Sequence, residues 1–230
     1  MFKTITEHHD FIVVDKEPGV NFHDEGNIGS GLFSLVKQQI QSHNKNAELY
    51  PVHRLDKMTS GLVIFAKNLA CAQTFGQLFN DHDIEKYYLA IADKKPSKKQ
   101  GLIKGDMDKS RRGMFKLLRT MENPAITQFF SYSIANKQRL YLLKPHSGKT
   151  HQLRVALASI GAPIVGDPLY YSTSPADRGY LHAYALKFTY LGEKFEFTSL
   201  PTKGEYYLNE ALNEQLAAIK KPWQLNWPRL

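Results

Sequence analysis

The chain has 230 residues, 42% of them hydrophobic, which is enough for one large domain or two small ones around a sizeable core. Its longest apolar runs reach about five or six residues, against about 20 for a helix that crosses a bilayer, and its charged, broken start is not that of a signal peptide, so a soluble, cytoplasmic protein is expected. Lys and Arg number 30 against 22 Asp and Glu, a formal charge of +8 that favours a polyanionic partner without establishing one, and the single cysteine, Cys71, excludes an internal disulfide.

Residues 1–10 carry no strong pattern and are expected to be a short lead-in. Phe11-Ile-Val-Val-Asp-Lys16 reads as the first strand, closed by Glu17-Pro18-Gly19. Gly26-Asn-Ile-Gly-Ser-Gly31 has neither the dinucleotide nor the Walker spacing, so Ser30 is read as the N-cap of a helix through Leu32, Leu35, Val36 and Ile40. The stretch Pro51 to Lys67 then places a polar loop, with His53, Arg54, Asp56, Lys57, Thr59 and Ser60, directly before an apolar strand from Leu62 to Ala66. A carboxylate set among cationic side chains is available as an anionic nucleophile or electrostatic partner; a surface turn with solvated ion pairs is the plainer alternative.

Asn68 is placed to cap a helix whose apolar positions are Leu69, Ala72, Phe75, Leu78 and Phe79. Asp81-His-Asp83 reads as a solvated turn rather than a metal cluster. In the next strand, Lys86 to Ala92, alternation puts Lys86, Tyr88 and Ala90 on one side and Tyr87, Leu89 and Ile91 on the other. Residues 93–123 concentrate lysines and arginines, Arg111 and Arg112 among them, with several glycines; they read as a mobile hairpin or loop. Ile126 to Ile134 and Arg139 to Leu143 form a strand pair with a turn near Asn136.

A second dense polar cluster runs from Lys144 to Ala156. Thr150 is read as the N-cap of a helix with an apolar stripe at Leu153, Leu157 and Ile160 and an end at Gly161. His151 and Arg154 then lie one turn apart near the positive end of that helix, where a carboxylate would meet both the arginine and the dipole. His146 and His151 lack a third ligand nearby, so no metal site is expected. A hairpin of Leu181 to Leu191 and Phe195 to Leu200 turns at Gly192, Lys203 to Lys221 supplies a last amphipathic helix, and Trp223 and Trp227 pack against the body.

The spacing H-R-L-D-x-x-T-S-G-L before an apolar strand, the K-x-Y-x-A of Lys86 to Ala90, and the G-K-T-H-Q-L-R-V of Gly148 to Val155 resemble, in that order, the signatures of the RluA-type RNA pseudouridine synthases. Pro163 to Tyr170 and Ser199-Leu-Pro201 are also similar, and the likeness covers roughly residues 10–202. It departs from the family at Met58, at Lys149 in place of an arginine and at Ala156 in place of a histidine.

The resemblance implies an α/β (α+β) pseudouridine synthase fold, a mixed, largely antiparallel sheet with flanking helices and a central cleft. It implies one catalytic domain over residues 1–230, without the S4-type RNA-binding domain of many relatives. It also implies Asp56 as the catalytic residue, Tyr88 stacking on the target base and sharing in proton transfer, and Arg154 paired with Asp56. Arg54 would reach into the RNA stack, His53, Lys86, Lys149 and His151 would contact RNA, and Arg111 and Arg112 would belong to a phosphate-gripping arm. The reaction implied, isomerising uridine in ribosomal or transfer RNA, adds no atom and no redox change, so neither cofactor nor metal is expected, and a monomer is the simplest form. An RNA-binding protein with an idle isomerase site stays open beside it; a nucleoside hydrolase is a weaker alternative, since no motif positions a water.

Overall fold

A computed structural model describes residues 1–96, 98–134 and 138–230, and the expected turn near Asn136 lies outside them. In chain order the elements are β1 (Phe2–Glu7), β2 (Phe11–Lys16), α1 (Leu32–His43), β3 (Tyr50–Pro51), β4 (Ser60–Ala66), α2 (Leu69–Asn80) and β5 (Glu85–Ala92). They continue with β6 (Gln100–Gly105), β7 (Met107–Lys109), β8 (Phe115–Leu117), β9 (Ala125–Ser133), β10 (Arg139–Pro145) and α3 (Gln152–Ser159). The last are β11 (Leu181–Tyr190), β12 (Glu193–Thr198) and α4 (Glu210–Ala218).

Ten strands form one mixed sheet in the order β1-β2-β4-β11-β5-β10-β9-β6, with β12 beside β11 and β3 beside β4. Among the described residues only β4 and β11 run parallel, through His182 opposite Ser60 and Ala183 opposite Gly61. The pairing requires a very close approach: a side chain on Gly61, whose φ is +108°, would strike the carbonyl of Ala183.

Strands buried on both faces read as continuous apolar runs, and β2 and β4 have this character because helices cover both sides. Phe11, Val13, Leu62 and Ile64 pack with Cys71 and Phe75 of α2. Ile12, Val14, Val63 and Phe65 pack with Leu32, Val36 and Ile40 of α1. A third cluster joins β5, β10 and β11 to α3 and α4. Beside Tyr88 the register of β11 against β5 slips between Ala183 and Ala185, a bulge next to the cleft.

Several local expectations are corrected. Residues 2–7 are not lead-in but an edge strand, half exposed and paired to β2, which needs no apolar run. Helix α1 starts after Gly31 with no side-chain cap bond. Asp24 organises its start by accepting from Gly29 N (2.8 Å), Gly31 N (2.7 Å) and Ser34 Oγ (2.9 Å), while Ser30 Oγ donates to Asn27 O. The basic segment is only partly a hairpin: β6 joins the main sheet beside β9, and β7 pairs with β8 separately. The last helix is confined to Glu210–Ala218, capped by Asn209, because the residues ahead of it turn inward; Tyr207 is 2% exposed and its hydroxyl donates to Leu89 O at 3.0 Å.

Candidate active site

The loop between β3 and β4 is fastened on both sides of Asp56. Before it, His53 Nε2 accepts the N–H of Ile64 at 2.9 Å, taking the backbone donor next to the last β3 pair. Burial, and after it the charge of Lys86, pushes His53 down to about 3, so the ring is neutral and its lone pair is committed to β4. Behind Asp56, the Lys57 carbonyl accepts from Gly19 N (2.8 Å) and from Lys16 Nζ (3.1 Å). Lys16 is fully buried and also donates to Val20 O (2.7 Å) and Glu17 O (3.0 Å). Thr59 N closes the turn on Asp56 O at 3.0 Å. The sequence thus sets the carboxylate at the tip of a short loop whose backbone is tied to two central strands.

Opposite the tip stands Arg154, 4% exposed, and its guanidinium is divided between two carboxylates. Nε and one terminal nitrogen donate to Asp167 at 2.7 and 2.8 Å in a bidentate fork, and Nη1 donates to Asp56 Oδ2 at 3.0 Å. Asp167, fully buried, is itself aimed by Leu169 N (2.9 Å) and Tyr170 N (3.0 Å). Burial alone would lower the Arg154 pKa, but the hydrogen bonds and charges of Asp167 and Asp56 outweigh it and raise it. A guanidinium locked by Asp167 presents one fixed N–H to Asp56.

His151 completes this wall. It sits at the N-cap position of α3 in the left-handed region (φ 58°), with no side-chain cap bond. Thr150 is therefore not the cap: Gln152 Oε1 takes the Ser147 hydroxyl (2.7 Å) and the Lys149 N–H (3.1 Å) instead. His151 Nε2 lies 3.9 Å from Asp56 Oδ2, and Nδ1 is 3.1 Å from the Tyr170 hydroxyl, which accepts from Phe115 N at 2.8 Å. A hydroxyl that accepts from Phe115 is free to donate to Nδ1, which leaves the ring proton on Nε2, facing Asp56. Burial and the nearby Arg154 charge lower the His151 pKa against the pull of Asp56 and Asp167.

Asp56 opens on a cavity of about 480 Å³ in which it is the only carboxylate among the described lining residues. Tyr88 and Lys86, on one face of β5, line the same cavity, as do Arg54, His53, Lys149 and His151. Burial first and the Asp56 charge second raise the Tyr88 pKa well above the usual phenol range, so the hydroxyl keeps its proton and acts as a donor, not a base, at neutral pH. Tyr87 faces away, against Trp223 and Trp227, with its hydroxyl on Glu85. A second cavity of about 540 Å³ lies on the other side of Arg54 and Asp56, floored by Met58, Pro168 and Leu169.

The three residues expected to be catalytic, Asp56, Tyr88 and Arg154, therefore meet in one cleft, with His53, Arg54, Lys86, Lys149 and His151 around it. Arg111 and Arg112 do not join them; they lie exposed at the tip between β7 and β8, next to which Phe115 stands edge-on to His151 at 5.7 Å. Lys149 Nζ is engaged with the Asn123 carbonyl. Two parts of the site have no role in the sequence reading, although Asp167 falls within the Pro163 to Tyr170 stretch that resembles the family. One is Asp167, a lone carboxylate after the apolar Ile164 and Val165, which is the signal that it needs a partner. The other is His182 Nδ1, which takes Ser60 Oγ at 2.7 Å, while Arg178 donates to the same Oγ at 2.7 Å, bonding the start of β4 to β11.

Residues 10–159 match the family model described as RNA pseudouridylate synthase. An uncharacterized RNA pseudouridine synthase of Haemophilus influenzae is 45% identical over 96% of this chain and 97% of its own length. Ribosomal large subunit pseudouridine synthase D of Borreliella burgdorferi is 32% identical over 72% of this chain, which spans about half, 53%, of that relative. The solved structure of human RNA pseudouridylate synthase domain containing 1 shares the fold, with a TM-score of 0.73 at 23% identity over 96% of this chain and 95% of that one. The chain belongs to the RNA pseudouridylate synthase family, enzymes that isomerise uridine within RNA.

Proposed function

We propose that the chain isomerises particular uridines of ribosomal or transfer RNA, with Asp56 as the catalytic residue. The observation that carries this reading is a single carboxylate, held at 3.0 Å by a buried arginine, opening on a cavity otherwise lined by neutral and cationic side chains. To become pseudouridine, a uridine must break its N-glycosidic bond, turn the detached uracil and rejoin it through carbon. The base has first to leave its stack, at a cost of a few kcal/mol that contacts from Arg54 and Tyr88 offset. Asp56 then assists departure of the base, by attack at the sugar or by stabilising charge at C1′, as carboxylates do in glycoside chemistry.

Arg154 keeps Asp56 aimed through their 3.0 Å hydrogen bond, and Asp167 keeps Arg154 from swinging away. Tyr88, protonated and partly buried, offers a face to the base and a hydroxyl that donates. Arg111, Arg112 and their neighbours grip phosphates outside the cleft. The test is site-by-site pseudouridine mapping of cellular RNA with and without the gene, complemented by wild type or by Asp56→Asn. We expect one or a few sites to vanish and only wild type to restore them. Unchanged sites, with RNA still co-purifying, would favour an RNA-binding protein with an idle site.

A further inference from the structure

The stem of Lys86 is buried, the residue being 9% exposed, while its ammonium opens on the cavity and is held by no hydrogen bond or ion pair among the described residues. Its neighbour is the face of Phe79, with Nζ 5.5 Å from the ring centre. The adjacent carboxylate, Glu85, is engaged by Lys144 at 2.7 Å, Lys187 at 3.5 Å and the Tyr87 hydroxyl, not by Lys86. Burial is the one influence that displaces the Lys86 pKa, and it lowers it. A lysine with a buried stem and an ammonium that reaches a cleft without a protein partner is placed to meet an anionic ligand there.

The surroundings say which ligand. Lys86, with His82 and Pro145, is shared between this cavity and a smaller one that does not reach Asp56, whereas Arg54, Asp56, His151 and Arg154 are shared with the second cavity, so Lys86 stands at the end of the cleft away from the carboxylate. That end is its mouth: Asn80 and His82, both exposed, stand beside Lys86, and the smaller cavity, of about 200 Å³, continues past it. Asn80, His82 and Lys86 supply donors, and the carboxylate that lines the smaller cavity, Glu85, is already paired with Lys144. An RNA strand that delivers one base to Asp56 must carry its backbone across this mouth, and the anion it brings there is a phosphate.

We propose that Lys86 binds the backbone phosphate adjoining the target uridine, and that the bound RNA supplies the counter-ion the fold withholds. The inference rests on the function proposed above and assigns Lys86 to substrate docking, not to the chemical step. It separates Lys86 from the exposed lysines of residues 93–123, whose charges are already solvated.

The experiment compares wild type with Lys86→Met on an RNA fragment carrying a uridine that wild type modifies, and on two copies with a neutral methylphosphonate on either the 5′ or the 3′ side of that uridine. Methionine fills the same space without the charge, so the variant is expected to melt at or above the wild-type temperature. We expect its KM to rise about tenfold or more with kcat within about twofold. One of the two neutral linkages is expected to weaken wild type by a similar factor and to weaken the variant no further. Losses that multiply at both linkages, a loss confined to kcat, or a lower melting temperature would each overturn the proposal. Absence of turnover by wild type would overturn the functional reading instead, and this inference with it.

Discussion

The two ends of the cleft are built on opposite rules. At the Asp56 end the polar groups behind the carboxylate are saturated: Arg154 gives its fork to Asp167 and one N–H to Asp56, and Lys16 gives all three protons to backbone carbonyls. At the mouth, Lys86 also has a buried stem, but its ammonium opens on the cavity and has only an aromatic face beside it. The difference teaches that burial alone does not assign a role. A lysine with three acceptors holds a loop in place, whereas one with none is completed by what enters. Substitutions at the saturated end should therefore cost stability and activity together, and those at the mouth should separate them.

The largest effect is expected from Arg154→Met. It leaves Asp167 as a fully buried carboxylate without its partner, at a cost of about 3–5 kcal/mol in a denaturant titration. The surviving folded enzyme should lose about 10²-fold or more in single-turnover rate, because Asp56 is no longer aimed.

Acid is the next probe, because His53 and His182 are held neutral in the fold, lowered to about 3 by burial and, respectively, by the charges of Lys86 and Arg178. An unfolded histidine titrates near 6.5, so between that value and about 3 the unfolded chain binds the extra protons and stability falls as the pH falls. The loss expected at pH 4 is about 3 kcal/mol per histidine, read from denaturant midpoints, and His182→Asn should remove one proton from the slope. Lys16→Met follows at about 2–3 kcal/mol, with reduced turnover, since the carbonyl next to Asp56 loses an anchor. The smallest change in stability, and the one of opposite sign, belongs to Lys86→Met. A destabilised Lys86→Met beside an unaffected Lys16→Met would erase the distinction between the two ends.

What the sequence disclosed follows from how local each feature is. Asp56 stands in a dense polar run before a strand, and Arg154 in another before a helix, so both clusters are legible although 98 residues separate the partners. Asp167 is not legible as their support, because it stands alone in an apolar stretch and meets Arg154 only when α3 and the following loop have packed. His182 is equally hidden, one imidazole in a strand of core residues. The helix starts misled for a related reason: Ser30 and Thr150 have the right chemistry at the right place, but Asp24 and Gln152 reach in from other positions and take the donors. Strand β1 shows no apolar run because an edge has one partner and one open side, and α4 begins late because Tyr207 is drawn into the core.

The most direct test of the account is single-turnover pseudouridine formation by purified wild type and Asp56→Asn on the same RNA, with binding measured in parallel. Asparagine keeps the shape and a carbonyl for Arg154 but removes the charge. The account predicts a rate lower by at least about 10³-fold with RNA affinity within a few-fold of wild type. An Asp56→Asn enzyme that binds and turns over like wild type would contradict it.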